Sequence, residues 1–213
     1  MKQPITELVY NSFPARQPSA DAPALILLHG RGTDEHDLAG LIPHFDARFD
    51  AYCIRAPYEF EYGGWTWFLL NEDGSYAQAE FDKSLALLLD FVKQLGNPHT
   101  YVVGFSMGSM MALAAGLTHP ELFKGVVAQS GLVPEQASHL HLQWDHLADC
   151  GFCITHGVYD PVLTIDHGRR AKELFAASNA KVFYKEYPMG HEISQESLED
   201  VAGWLAARLN HKQ

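Results

Sequence analysis

Four short, largely apolar runs limit what this chain can become: Ala24–Leu28, the β-branched run that ends at Gly104, Lys124–Ser130 and Phe152–His156. A strand with one solvated face alternates apolar with polar residues, whereas these runs are continuous, the pattern of strands buried on both faces. The segments between them carry helical spacing instead. Asp34–Arg48 has Leu38, Leu41, Ile42 and Phe45, with Asp34, Glu35 and Asp37 at its start, and Gln78–Leu95 has Phe81, Leu85, Leu88, Leu89, Val92 and Leu95 on one face before Gly96-Asn97-Pro98. Strand and helix alternating in this way predict an α/β fold: a mostly parallel central sheet with helices on both faces.

The remaining segments fit that plan. Ile5–Phe13 reads as an opening strand, Ala51–Arg55 as a short strand, and Tyr58–Tyr76 as an aromatic, glycine-rich loop without periodicity. Thr164–Ser178 reads as helix, Lys181–Tyr187 as a last strand, and Ser194–Leu209 as a closing helix capped by Ser194. With no linker-like stretch and no internal repeat in 213 residues, a single domain over 1–213 is expected.

Charge and cysteine content narrow the functions. The net charge is −11, and the 15 Lys and Arg residues are scattered among 26 Asp and Glu, so the basic patch that nucleic-acid binding requires is missing. MKQPITELVYNSF at the amino terminus contains no apolar core of signal-peptide length, and no apolar run is long enough to span a bilayer. Cys53, Cys150 and Cys153 give an odd count without a disulfide framework. A soluble, cytoplasmic protein that does not insert into membranes is expected.

Chemistry in an open α/β sheet belongs just past the carboxyl ends of the strands. There the sequence offers His29–Gly32, Ser106, the 131–150 insert, Asp160 and His191. Gly104-Phe105-Ser106-Met107-Gly108 lies between a strand and a helical segment, as a nucleophile elbow does: the turn is tight, and glycines two before and two after the serine avoid Cβ clashes. A serine hydroxyl needs an imidazole to take its proton and a carboxylate to orient that imidazole. Asp160, in HGVYDP, and His191, in PMGH, each follow a strand and supply both. Asp166 is the rival carboxylate but falls inside a predicted helix. His139, His141 and His146 with Cys150 and Cys153 match no zinc spacing, so no metal is expected.

The order Ser, Asp, His is that of the α/β-hydrolases. LLHGRGTDEHDL at 27–38, WTWF at 65–68, GFSMGS at 104–109, HGVYDPV at 156–162 and YPMGHEIS at 187–194 resemble, in order and over nearly the whole chain, the phospholipase/carboxylesterase family of that fold, which includes the acyl-protein thioesterases. The resemblance implies Ser106 as nucleophile, His191 as general base and then acid, Asp160 as orienting carboxylate, and the backbone N–H groups of Arg31 and Met107 as the oxyanion hole. It implies hydrolysis of a small acyl ester or thioester of short to medium chain, without a cofactor; acyl-protein thioesterase or lysophospholipase activity is the alternative, and a non-catalytic hydrolase-fold binding protein a third reading. Met107 stands where the family often has Gln, which leaves a backbone donor unaffected. Trp65, Trp67 and Phe68 are expected to form one wall of the acyl or alcohol pocket, packing of the long loop against the body being their other use. No separate lid domain is expected in a chain of this length. The Arg31 side chain, the role of the 131–150 insert and a homodimer through an exposed face stay open.

Overall fold

A computed structural model describes residues 6–72 and 74–210. Its strands are β1 (Tyr10–Phe13), β2 (Ala24–Leu28), β3 (Asp50–Ile54), β4 (Tyr58–Glu59), β5 (Trp65–Thr66), β6 (Thr100–Phe105), β7 (Gly125–Gln129), β8 (Gly151–Gly157) and β9 (Lys181–Tyr187). The α-helices are α1 (Gln78–Leu95), α2 (Met107–Thr118), α3 (Ile165–Ala176) and α4 (Gln195–Asn210). Among these residues one sheet runs in the order β1-β3-β2-β6-β7-β8-β9, parallel throughout except for β1, which pairs antiparallel with β3. β4 and β5 form a separate small hairpin.

The two-residue period of the strands divides the core. Ile26, Leu28, Val102, Val126, Ala128, Phe152 and Ile154 face α1, α2 and α3, while Leu25, Leu27, Val103, Val127 and Cys153 face α4 and the segment around Leu38, Phe45 and Phe49. Both faces of the sheet are therefore covered, which is the physical reason the strands read as continuous apolar runs. β6 lies at the centre with α2 packed directly on it, and every residue of α2 is buried.

Three segments depart from the sequence expectation. The opening strand is only β1, and Ile5 lies outside the described residues. The helix expected over 34–48 is a 3₁₀ helix, Asp37–His44, with Pro43 inside it; proline lacks the N–H a longer α-helix needs and clashes with the preceding turn. Asp34 and Glu35 thus precede the helix, leaving Asp37 as the acid in its first turn. The 58–76 loop contains the β4–β5 hairpin, whose two-residue strands are too short to produce a sequence period. Elsewhere the reading holds to within a few residues, and Ser194 accepts a cap hydrogen bond from the Ser197 N–H at 3.2 Å.

The turn from β6 into α2 holds Ser106 at φ 54° and ψ −118°, a left-handed backbone for a residue with a side chain, which costs about 1–3 kcal/mol. The flanking glycines make it feasible. A Cβ on Gly104 would strike the backbone of Gly108, and one on Gly108 would strike the carbonyls of Leu28 and His29, so α2 starts in direct contact with the end of β2.

Gly108→Ala is expected to lose about 3 kcal/mol or more through this backbone collision, lowering Tm by roughly 6–12 °C. Gly203→Ala, on an exposed part of α4 where a Cβ meets nothing within 4 Å, is expected to gain about 1 kcal/mol from helix propensity and raise Tm. Thermal melts of both variants check the opposite signs.

Candidate active site

Three loops at the carboxyl ends of β6, β8 and β9 bring Ser106, Asp160 and His191 together. The Ser106 hydroxyl lies 2.8 Å from His191 Nε2, and His191 Nδ1 lies 2.7 Å from Asp160 Oδ2. Because a carboxylate accepts, Nδ1 carries the ring proton and Nε2 is left to accept from the hydroxyl. Phe105 supports the imidazole with its ring centroid 5.1 Å away. The other oxygen, Asp160 Oδ1, accepts from the N–H groups of Val162 (2.8 Å) and Leu163 (2.9 Å).

Burial and charge work against each other at Asp160. The carboxylate side chain has no solvent exposure, and this burial opposes its ionisation; the hydrogen bond from His191 and those from the Leu163 and Val162 amides outweigh it and hold the carboxyl below its ordinary value. The His191 side chain keeps 17% exposure, enough for solvent to reach the ring. Asp166, the rival carboxylate, stands exposed in the first turn of α3.

A second construction faces Ser106 from the end of β2. His29 is buried; the Ala56 N–H donates to its Nε2 at 3.0 Å, so the ring proton sits on Nδ1 and goes to the Gly30 carbonyl at 2.6 Å. The Thr33 hydroxyl donates to the same carbonyl at 3.1 Å. In a trans peptide the N–H points opposite to the C=O, so pinning Gly30 O also fixes the direction of the Arg31 N–H. Gly30 lies against Ser106, a Cβ on it being 3.5 Å from the serine Cβ. Among the described residues neither the Arg31 nor the Met107 N–H meets an acceptor.

With this geometry in place, a sequence model of the phospholipase/carboxylesterase family matches residues 14–209. The chain belongs to that family. It is 24% identical over 186 residues to the putative hydrolase MhqD of Bacillus subtilis, a match covering 84% of this chain and 90% of that protein. It is 29% identical over 115 residues to a probable carboxylesterase, SOBER1-like, of Arabidopsis thaliana, covering 53% of this chain but 44% of that one. The chain thus aligns with about half the length of several curated relatives. The crystal structure of a Bacillus cereus carboxylesterase superposes with a TM-score of 0.83, at 21% identity and 96% coverage of both chains, which establishes the α/β-hydrolase fold.

In this phospholipase/carboxylesterase family member the WTWF stretch packs against the body, with Trp65 half-buried. Trp67 and Phe68 are fully buried. The Trp67 indole N–H donates to the His29 carbonyl at 2.9 Å, and Phe68 packs on Tyr76 and Phe81. Trp65 exchanges backbone hydrogen bonds with Gly32 and Thr33, both at 2.8 Å, and its ring carries the Arg55 guanidinium at 4.1 Å. The stretch braces the His29–Thr33 loop from behind. The Arg31 side chain is exposed and lies over Phe60 at 5.1 Å. Of the histidines and cysteines in and beside the 131–150 insert, Cys150 and Cys153 are buried while His139 pairs with Asp82 at 2.6 Å.

His29 and His156 each stand before a glycine at a strand end, and each is fixed by the backbone around it. Each ring donates to a backbone carbonyl, Gly30 for His29 and Leu163 for His156, and His29 also accepts from the Ala56 N–H. The only sequence signal is a histidine before a glycine at a strand end.

Burial lowers the pKa of His29 and His156 below the ordinary 6.5, and His119 shifts the same way. Well above 6.5 these imidazoles are neutral folded or unfolded, and their contribution to stability is complete; as pH falls through 6.5 the unfolded chain takes up protons the folded chain refuses, so stability drops until pH passes the folded-state values. The slope reaches at most about 1.4 kcal/mol per pH unit for each imidazole. Urea unfolding is expected to show a falling midpoint from about pH 7.5 to about pH 5.5, with a smaller slope in His29→Gln.

Proposed function

We propose that the protein is a serine esterase that hydrolyses short- to medium-chain carboxylic esters or thioesters through an acyl-enzyme on Ser106, with no cofactor. The observation that carries this reading is the continuous hydrogen-bonded chain from Ser106 through His191 to Asp160. His191 Nε2 takes the Ser106 proton as Oγ bonds to the acyl carbon, and Asp160 stabilises the imidazolium that forms. When the tetrahedral intermediate collapses, the C–O or C–S bond breaks and Nε2–H protonates the departing alcohol or thiol. Water then enters, loses its proton to Nε2, and releases the carboxylic acid and the free serine by the same steps in reverse.

Charge develops on the former carbonyl oxygen in both halves of the reaction. The amides of Arg31 and Met107 are the donors we assign to it: neither meets an acceptor among the described residues, one starts α2 and the other is directed by the His29 and Thr33 contacts to Gly30 O. Each such donor contributes about 3 kcal/mol to the transition state. With Trp67 and Phe68 in the core, the acyl or alcohol group has to lie against other side chains. Tyr159 and Val162 flank Asp160 and remain 71% and 60% exposed, offering an apolar rim to an uncovered site that suits water-soluble substrates.

The three cysteines are free and buried, and burial raises their thiol pKa, to about 12 for Cys53 and Cys150. Inert thiols of this kind fit a reducing compartment, which we take to be the cytoplasm. No helix among the described residues is long and apolar enough to cross a membrane.

Ser106→Ala is expected to lower kcat/KM for p-nitrophenyl butyrate by about 10⁵-fold or more and to abolish covalent labelling by a fluorophosphonate. Hydrolysis at the wild-type rate by this variant, or a folded wild type that takes up no label at Ser106, would overturn the assignment. A chain-length series of p-nitrophenyl esters and acyl thioesters then defines the acyl group.

A further inference from the structure

Asp160 depends on a loop, and the loop depends on a residue outside the Ser106–His191–Asp160 chain. The two amides that hold Asp160 Oδ1 belong to Val162 and Leu163, in the short connection between β8 and α3. The carbonyl of the same Leu163 accepts from His156 Nε2 at 2.7 Å. His156 is in β8, four residues before Asp160, and has no solvent exposure. We propose that His156 is a positioning residue for the esterase reaction: by fixing the Leu163 carbonyl it holds both amides on Asp160, and so holds the carboxylate in the orientation that meets His191. This rests on Asp160 being the orienting carboxylate of the proposed reaction.

The geometry calls for a neutral N–H donor at the position of His156 Nε2. Leu163 is gripped on both sides, its N–H by Asp160 and its C=O by His156, so the backbone of this residue has little freedom to rotate. The ring itself lies against α3 at Gly168, where an added Cβ would come within 2.9–3.0 Å of His156 Cβ, Cγ and Nδ1. A glycine there leaves space for the ring, and the ring fixes the start of α3 relative to β8.

The ring must also remain neutral. His156 Nε2 is 3.6 Å from Asp160 Oδ2, the same oxygen that His191 Nδ1 reaches at 2.7 Å. A cationic His156 would compete with His191 for that carboxylate and diminish its influence on the base. Since Nε2 donates to a carbonyl, a second proton would have to go on Nδ1, which is buried without a hydrogen-bond partner among the described residues. Burial accordingly lowers the affinity of the ring for a proton, against the opposing influence of the Leu163 carbonyl and Asp160, while His167 and His191 also disfavour a second positive charge. An ordinary core histidine would require only its volume; this one requires a donor at Nε2 and no charge.

The full chain with His156→Leu, His156→Gln and Gly168→Ala tests the proposal. Glutamine keeps a neutral N–H donor at about the distance of Nε2; leucine keeps volume alone. His156→Leu is expected to lower kcat for p-nitrophenyl butyrate about 10- to 100-fold with KM within about twofold, and to slow fluorophosphonate labelling in parallel. A downfield proton resonance of His191 Nδ1–H is expected in the wild type and should broaden or vanish in His156→Leu. His156→Gln should bring kcat to within about threefold of the wild type and restore the resonance, and Gly168→Ala, by displacing the ring, should reproduce part of the leucine effect. If His156→Leu does not fold, the glutamine and Gly168 variants carry the test. Wild-type kcat and an intact resonance in folded His156→Leu would overturn the inference, as would wild-type kcat in Gly168→Ala or failure of folded His156→Gln to recover either signal. Asp160→Asn separates the two levels: a large loss there, on the order of 10⁴-fold, with wild-type His156→Leu refutes only the role of His156, whereas full activity in Asp160→Asn refutes the carboxylate assignment on which it rests.

Discussion

A carboxylate sealed away from water is the constraint on which the site depends. An unpaired buried charge costs several kcal/mol, so Asp160 can stay ionised only if the chain brings donors to both of its oxygens. The β8–β9 pair does much of this work by continuing beyond the strand ends. Gly157 lies opposite Tyr187 in register, the Val158 N–H donates to Tyr187 O at 2.8 Å, and the Tyr159 N–H donates to Met189 O at 3.0 Å. A Cβ on Gly157 would strike the carbonyls of Met189 and Gly190, so the two loops approach as closely as backbone allows. That contact sets the distance between Asp160 and His191.

The elbow is positioned by a different compromise. Ser106 sits in an unfavourable backbone region, and the strain is sustained by what is packed on either side: β6 at the centre of the sheet and an entirely buried α2. Contact of Gly108 with the end of β2 places the beginning of α2 beside the His29–Thr33 loop. That loop is then fixed from behind by Trp65 and Trp67. β2 and β6 are neighbours from which the chain departs in opposite directions along the sheet, to β3 on one side and β7 on the other, and the crevice between their loops is where such folds bind ligands.

Much of this was legible in the sequence, for reasons that also explain the failures. Strands buried on both faces leave continuous apolar runs and long helices a helical period, so β2, β6 and α1 could be read from the apolar pattern, and Ser106, Asp160 and His191 from their places past strand ends. The 34–48 segment carries a helical apolar pattern that Pro43 prevents from becoming an α-helix, a backbone veto over a side-chain signal. In WTWF the sequence fixes the residue types but not their direction: an aromatic in a loop can face a substrate or the core, and the indole N–H of Trp67 decides for the core by bonding to His29 O. The roles of His29 and His156 were hidden for a related reason. Their partners are backbone groups, which nearly every residue has.

Three histidines beyond strand ends or at them show how one residue type is sorted into different tasks. His29 has both nitrogens committed to backbone groups, a donor at Nε2 and an acceptor at Nδ1. His156 gives its proton to a carbonyl and has its other nitrogen sealed in the core. Neither can gain a proton without losing a partner or creating an unsatisfied buried charge, so burial keeps both neutral. His191 differs in the kind of group it meets rather than in the number of its hydrogen bonds. Its Nδ1 is held by a carboxylate able to balance a positive ring, and its Nε2 faces a hydroxyl. Amides and carbonyls have fixed roles as donor or acceptor, whereas a serine hydroxyl can give up its proton and later take one back.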